Sequence, residues 1–258
     1  MGRFSGKSSI IVGGAGGIGS AISQAFAKDE CCITVADINI SGAQELVKGL
    51  SGTRSHLAVS VDVSDKDSVS RVVKTVIKKQ KRIDFLIYCA GNNIKAPSID
   101  LTIEQWQSAL DSHLTGAFLF SQAVARQIIN QQSGGKIVFL SSVGAWAPIP
   151  ERGAYSPSKA ALNSLAAMLS IEWAKYGINT NTVCPGVAET PMTTEVYKRD
   201  PALRDIRRKR MPISREVLPE EIADLVIFLC SDASNYINGT AIPIDGGFLH
   251  SAFMPEKH

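Results

Sequence analysis

Ser8-Ser9-Ile10-Ile11-Val12-Gly13-Gly14-Ala15-Gly16-Gly17-Ile18-Gly19 is an apolar run followed at once by a glycine cluster, and a helix-like segment continues over 20–28. A strand, a glycine turn and a helix in this order are typical of a phosphate-binding loop. Glycines allow the tight turn and let the backbone approach a pyrophosphate closely. The stretch therefore predicts a dinucleotide-binding unit in which the cofactor contacts Gly13, Gly17, Ile18 and Gly19.

A carboxylate follows this loop at the end of the next apolar segment, 31–37, which closes on Asp37. At this place a carboxylate accepts hydrogen bonds from the adenosine ribose hydroxyls and repels a 2′-phosphate, so Asp37 predicts NAD rather than NADP. The alternative is a turn residue at a strand end. After the following strand, Asp62 and Val63 are candidates for the adenine pocket, unless Asp62 only caps the helix that starts near Asp65.

The chain alternates between short apolar runs and helix-like segments from end to end, which predicts a doubly wound α/β fold with one parallel sheet between two helix layers. We expect one domain over 1–258, with a substrate-lid insert of little regular structure at about 187–212. Strands are predicted at 8–12, 31–37, 56–61, 84–89, 136–142, 178–184 and 240–245, and helices at 20–28, 41–50, 65–79, 104–132, 155–174 and 219–231.

Composition excludes several classes of protein. The 258 residues are 45% hydrophobic and 20% charged, and no apolar run reaches the ~20 residues that cross a bilayer. The N-terminal residues lack the apolar core of a signal peptide, so we expect a cytoplasmic protein without a membrane partner. Five cysteines without C-x-x-C spacing and four scattered histidines predict free thiols and no metal site.

The charge is concentrated in the segment 198–210, which holds seven basic residues and two acidic ones. Such a run suggests nucleic acid, but stacking aromatics are missing from it apart from Tyr197 at its edge. We therefore expect no nucleic-acid partner. A solvated helix face, or a collar that attracts an anionic substrate, fits the segment better.

Tyr155 and Lys159 stand four residues apart in Gly153-Ala154-Tyr155-Ser156-Pro157-Ser158-Lys159, so a helix would place them on one face. Pro157 fits a first helical turn. Lowering the pKa of a tyrosine from ~10 to ~7 requires about 4 kcal/mol, which a desolvated cation can supply. Tyr155 is thus a candidate acid/base, although an isolated Y-x-x-x-K is more often a surface pair.

Several motifs together resemble the short-chain dehydrogenase/reductase family over nearly the whole chain. The glycine loop resembles T-G-x-x-x-G-x-G with Val12 in place of threonine, and residues 88–91 resemble N-N-A-G without its two asparagines. Residues 185–190 match P-G-x-x-x-T, and Ser142 precedes Y-x-x-x-K at the family spacing. The resemblance implies a Rossmann fold with catalytic Ser142, Tyr155 and Lys159. It also implies cofactor contacts from Ala90, Gly91, Tyr155, Lys159, Pro185, Val187 and Thr190.

One position departs from the family, because His113 stands where an asparagine usually carries a water that passes protons to the lysine. Histidine can both donate and accept, so His113 is a candidate catalytic residue of the relay. The alternative is a buried helix residue without a chemical role.

The implied reaction is NAD-dependent hydride transfer between a secondary alcohol and a ketone. Lys95, Ser142, Trp146 and Arg152, with Glu151 nearby, are candidate substrate contacts, and the loop charges favour a polyol, sugar acid or hydroxy acid unless they are only solvated rim residues. A 3-oxoacyl-carrier-protein reductase and a non-catalytic NAD sensor or scaffold are the alternatives. The apolar 160–174 helix and the 104–132 helix resemble the family's subunit interfaces, which predicts a homotetramer.

Overall fold

The computed structural model describes residues 2–52 and 55–253. It contains a seven-stranded parallel sheet of strand order β3-β2-β1-β4-β5-β6-β7, which confirms the predicted doubly wound sheet. The strands are β1 Ser8–Val12, β2 Cys32–Asp37, β3 Leu57–Ser60, β4 Phe85–Tyr88, β5 Gly135–Leu140, β6 Ile178–Pro185 and β7 Ala241–Ile244.

Helices cover both faces of this sheet. Alternating side chains of β1 enter two separate apolar clusters: Ile11 packs on the α1 and α9 side, and Ile10 and Val12 pack on the α3, α5 and α6 side. This period-two alternation makes the molecule a three-layer αβα sandwich. The helices are α1 Gly17–Lys28, α2 Ile40–Gly49, α3 Lys66–Gln80, α4 Ile103–Leu110, α5 Gly116–Gln131, α6 Tyr155–Trp173, α7 Pro191–Arg199, α8 Pro201–Lys209 and α9 Pro219–Cys230.

The predicted long helix 104–132 is interrupted by a π-helical turn over Asp111–Thr115, between α4 and α5. A π turn adds one residue to the helical circuit and is frequent at functional sites. It changes which side chains face the sheet, so His113 is buried in the turn. Apolar periodicity does not reveal such a turn, because the flanking helices keep their own period.

The insert at 187–212 is more regular than expected, since it contains α7 and α8. Each helix begins with a proline at its first position, Pro191 or Pro201, and the preceding Thr190 or Asp200 caps it with a side-chain oxygen. Proline at the first helical position after a Thr or Asp cap is a helix-start signal. The prediction of an irregular insert was wrong because these two signals were overlooked.

Strand order reverses between β1 and β4, so the connections leaving these neighbours run to opposite faces of the sheet and open a crevice at their carboxyl ends. No helix in the described part of the chain combines the length and apolarity that a membrane crossing requires. The five cysteines are free thiols, as expected. Within residues 2–52 and 55–253, no cluster of His, Cys, Asp and Glu has the arrangement of a metal site.

Candidate active site

A cleft of about 1800 Å³ runs along the carboxyl ends of β1, β2, β4, β5 and β6. The glycine loop and Asp37 line one end, and Ser142, Tyr155 and the insert line the other. This is the position at which open α/β sheets bind ligands.

The glycine loop forms one wall of the cleft. Gly13 has a φ of +73°, and a Cβ there would lie 2.7 Å from the Ala90 nitrogen. A Cβ on Gly19 would lie 2.5 Å from the Gly13 carbonyl oxygen. The first helical residue of α1 is Gly17, and its cap residue Gly16 offers no side-chain acceptor, so the N–H groups of this helix end remain available to an anion. The cradle fits a dinucleotide pyrophosphate.

Asp37 closes β2 next to this loop. Its Oδ2 accepts from the Ala15 nitrogen at 2.9 Å and its Oδ1 from the Asn39 nitrogen at 2.9 Å. The carboxylate is therefore held at the cleft edge, where a ribose would lie. The residues that follow, Ile38 and Asn39, carry no positive charge that would attract a 2′-phosphate.

Asp62 and Val63 line the same end of the cleft. The Oδ1 of Asp62 accepts from the nitrogen and the hydroxyl of Ser64, and these bonds lower the pKa of Asp62. Asp65, not Asp62, caps α3. The capping alternative for Asp62 is thus wrong, and its side chain borders the cleft.

Tyr155 is the first residue of α6, and Lys159 follows one turn later. Lys159 is buried, and its Nζ donates to the Leu140 carbonyl oxygen at 2.7 Å and lies 5.6 Å from the centroid of the Tyr155 ring. The Ser142 hydroxyl oxygen accepts from the Gly144 nitrogen at 3.0 Å. The three predicted catalytic side chains therefore meet at the carboxyl end of β5.

Burial governs the ionisation of this group. It raises the pKa of Tyr155, against the opposing effects of the hydrogen bond with Ser142 and the positive charge of Arg152. It also lowers the pKa of Lys159 to about 8. Both shifts favour the neutral forms, so Tyr155 holds its proton and Lys159 is poised near its own titration at mildly alkaline pH.

His113 packs edge-on against Tyr155, with ring centroids 5.4 Å apart. Its Nε2 lies 2.8 Å from the Asn92 carbonyl oxygen, which can only accept, so the proton resides on Nε2 and Nδ1 is a bare acceptor. Among the described residues Nδ1 has no hydrogen-bond partner. Burial, and then the charge of Lys159, lower the pKa of His113 to about 3. A Cβ on Gly91 would overlap the imidazole, so glycine is required there.

Residues 185–190 connect β6 to the insert and lie next to the glycine loop. Pro185 ends β6, and the Val187 carbonyl accepts from the Val217 nitrogen at 3.0 Å. Thr190 caps α7, and a Cβ on Gly17 would lie 3.2 Å from its Cβ. Pro185, Val187 and Thr190 all line the cleft, as do the predicted cofactor residues Ile18, Ala90 and Gly91.

The structure places the predicted substrate residues at three different locations. Arg152 lines the cleft, where its guanidinium donates to Asn93 Oδ1. Lys95 is exposed and lies outside the cleft lining. Trp146, 48% exposed, lines an adjoining cavity of about 720 Å³. Glu151 is exposed at a positive φ of +58° and does not line the cleft.

Sequence reasoning missed two cleft residues, Arg207 and Arg210, which were treated only as part of a basic run. Their spacing of three on an amphipathic helix was the available signal. Asn93 and Met192 also line the cleft from its two sides, and the Asn93 amide donates to the Met192 sulfur at 3.8 Å.

Comparison with known proteins agrees with this geometry. Residues 13–249 match the family profile described as enoyl-(acyl carrier protein) reductase. The chain is 35% identical to a D-threitol dehydrogenase of Mycolicibacterium smegmatis, across 95% of this chain and 94% of the relative. The chain belongs to the short-chain dehydrogenase/reductase family. A 3-oxoacyl-[acyl-carrier-protein] reductase of Thermotoga maritima is 34% identical across 96% of this chain and 99% of the relative.

A third relative is an NAD-dependent glycerol dehydrogenase of Listeria innocua, 32% identical across 94% of this chain and 93% of the relative. The fold also matches a 7α-hydroxysteroid dehydrogenase solved with NADH and a 7-oxo bile acid, with a TM-score of 0.90, 27% identity and 95% coverage of both chains. This short-chain dehydrogenase/reductase is therefore an oxidoreductase that uses a nicotinamide cofactor and acts on an alcohol or ketone.

Proposed function

We propose that the protein is an NAD-dependent dehydrogenase that interconverts a secondary alcohol and a ketone in a polar small molecule. The observation that carries this proposal is the convergence of Ser142, Tyr155 and Lys159 on a cleft whose other end is closed by Asp37. The chemistry at one end and the carboxylate at the other suit one extended dinucleotide.

A nicotinamide cofactor, when bound, accepts or supplies the hydride. Tyr155 takes the hydroxyl proton of the alcohol during oxidation and returns it to the carbonyl oxygen during reduction. Lys159 favours the phenolate by its charge, and Ser142 donates to the substrate oxygen. The backbone of Val187 and the side chain of Thr190 would hold the carboxamide end of the cofactor, and the glycine loop would hold its pyrophosphate.

Selection of NAD over NADP rests on Asp37. Its carboxylate is held by two backbone N–H groups, and a 2′-phosphate at the ribose would bring a second negative charge against it. The NAD dependence of the glycerol dehydrogenase relative supports the same choice.

The polar nature of the substrate is supported by Arg152 in the cleft and by the two polyol dehydrogenases among the relatives. Carrier-protein reduction is the second candidate, since one relative is a reductase of this kind and the insert carries exposed bases such as Arg199 and Lys209. Asp37 disfavours it, because reductive synthesis generally draws on NADPH.

We also propose that the described chain acts as one domain and forms a homotetramer, with α7 and α8 as the lid. Apolar side chains on α5 and α6 support association, because Phe118, Met168 and Ile171 are 38%, 45% and 80% exposed. Sedimentation velocity would test the assembly, and a monomer at assay concentration would contradict it.

The decisive experiment is an NADH absorbance screen of the purified enzyme across alditols, aldonates, other hydroxy acids and acyl thioesters, with both NAD and NADP. Turnover of a polar alcohol with NAD is the expected result. Turnover of acyl thioesters alone would favour the carrier-protein reductase, and turnover of none would favour a binding protein.

A further inference from the structure

The arginines of α8 and of its C-cap, Arg210, differ in what their side chains contact. Arg204 and Arg208 point to Glu216, whose side chain is fully buried, with N–O distances of 3.2 and 2.8 Å. Arg207 and Arg210 line the cleft together with Met211 and Phe248. Glu216 thus pairs with Arg204 and Arg208, whereas the positive charges of Arg207 and Arg210 lie at the cleft.

The position of Arg207 is fixed by the neighbouring helix. Its guanidinium carbon lies 5.6 Å from the centroid of the Tyr197 ring, and its Nη1 lies 3.4 Å from the Tyr197 hydroxyl. Tyr197 is buried, and Arg204 stacks on the same ring at 5.5 Å. Because α7 and α8 hold the guanidinium in place, little side-chain entropy remains to be lost when Arg207 binds a ligand.

Arg210 follows the last residue of α8 and is exposed. It lines both the main cleft and the adjoining cavity of about 720 Å³. Ala147 and Phe248 also line both. A substrate that extends from Tyr155 towards this junction meets a guanidinium at its far end.

The charge of these arginines is uncompensated. Among the described residues no carboxylate lies within 4 Å of the guanidinium of Arg152, Arg207 or Arg210, in contrast to the paired Arg204 and Arg208. Carboxylates do line the cleft, but they belong to other elements: Asp37 ends β2, Asp62 follows β3, and Glu104 and Asp111 lie in α4 and the π turn.

We propose, on the basis of the NAD-dependent reaction above, that Arg207 and Arg210 bind an anionic group of the substrate, a carboxylate or a phosphate monoester. The enzyme then selects hydroxy acids or phosphorylated alcohols over neutral polyols of the same length. Guanidinium pairs bind planar carboxylates and phosphates through charge-assisted hydrogen bonds. Arg152, which also lines the cleft and whose charge acts on Tyr155, adds to the same positive field.

The test compares an alditol, the aldonate of the same carbon number and the corresponding alditol phosphate as substrates of the full-length enzyme with NAD. The variants are Arg207→Gln/Arg210→Gln and, as a control, Arg199→Gln/Lys209→Gln, which removes two exposed charges from the same segment outside the cleft. We expect the first variant to lower kcat/KM for the preferred anion at least about tenfold, mainly through KM, and to leave the alditol within about twofold. The control should change neither.

Comparison of the aldonate with the alditol phosphate shows whether the arginines bind a carboxylate or a phosphate. The preference of the enzyme for that anion over the alditol should disappear in Arg207→Gln/Arg210→Gln. A wild-type enzyme that prefers the alditol would overturn the inference while leaving the NAD-dependent reaction intact. A higher KM for NAD with an unchanged KM for the substrate would overturn it too, since the arginines would then serve the cofactor. Turnover of none of the three substrates would count against both proposals.

Discussion

The Nζ of Lys159 donates to the Leu140 carbonyl oxygen at 2.7 Å while it lies 5.6 Å from the centroid of the Tyr155 ring. The backbone of β5 therefore anchors the ammonium one helical turn from the phenol. Because burial raises the pKa of Tyr155 and lowers that of Lys159, the pair loses stability when either group is charged alone. A phenolate beside an ammonium relieves both effects, so the ion pair is the charged form that this buried site tolerates.

Replacing Tyr155 with phenylalanine removes the hydroxyl that exchanges the proton and keeps the ring that packs on His113. We expect Tyr155→Phe to lower kcat at least about a hundredfold, the usual contribution of general acid–base catalysis. NADH binding, followed by fluorescence titration, should stay close to wild type. Tyr176→Phe, on the protein surface, is the matched control. Near-normal turnover of Tyr155→Phe would exclude the assignment.

The pH dependence of the two directions should differ. Since the pKa of Tyr155 is raised, its base form grows throughout the assay range, and kcat/KM for oxidation should rise with pH. Above pH about 8 Lys159 loses its proton, so the rise should flatten. Reduction, which needs the protonated phenol, should not gain from higher pH.

His113 should contribute no titration step to these pH–rate profiles. Its pKa of about 3 keeps the imidazole neutral above pH ~4, so no transition belonging to it is expected between pH 5 and 7. Profiles of wild type and His113→Asn should have the same shape, whatever the change in rate. A step near pH 6.5 that disappears in His113→Asn would show that the histidine titrates during turnover.

Cofactor choice should depend on Asp37. Asp37→Ala removes the charge that repels a 2′-phosphate, and the ratio of kcat/KM for NAD to that for NADP should fall at least about tenfold. Asp62→Asn is the control, because it neutralises a carboxylate of the same cleft whose Oδ1 is bonded to Ser64. Wild-type preference for NADP would contradict the interpretation outright.

Glu216 should stabilise α8, because its carboxylate pairs with Arg204 and Arg208. Glu216→Gln leaves Arg204 and Arg208 without their buried counter-charge, and because both arginines are partly exposed we expect a loss of about 1–3 kcal/mol in the free energy of unfolding. Amide hydrogen exchange over 191–210 should accelerate. In Glu195→Gln, which loses an exposed pair with Lys198, the change should stay below about 1 kcal/mol. Equal effects in the two variants would rule out the proposed role.

The amino-acid sequence alone determined the positions of the strands along the chain, the glycine loop, and the choice of Tyr155 and Lys159 as candidate catalytic residues. These features are local: glycine spacing fixes a turn, apolar runs fix buried strands, and a spacing of four fixes one helix face. Helix starts at Pro191 and Pro201 were equally local and could have been predicted from their caps. The information that these helices form is therefore present in the sequence itself.

Only the tertiary structure decided which distant residues share the cleft. The π turn places His113 against Tyr155, and contact with Tyr197 holds Arg207 at the cleft. The contact of His113 with Tyr155 and the presence of both in one cleft with Arg207 join segments far apart in the chain, which no local period encodes. Lys95 illustrates the same point, because it is close to the motifs in sequence but lies outside the cleft lining, and closeness in sequence does not fix a place in the site.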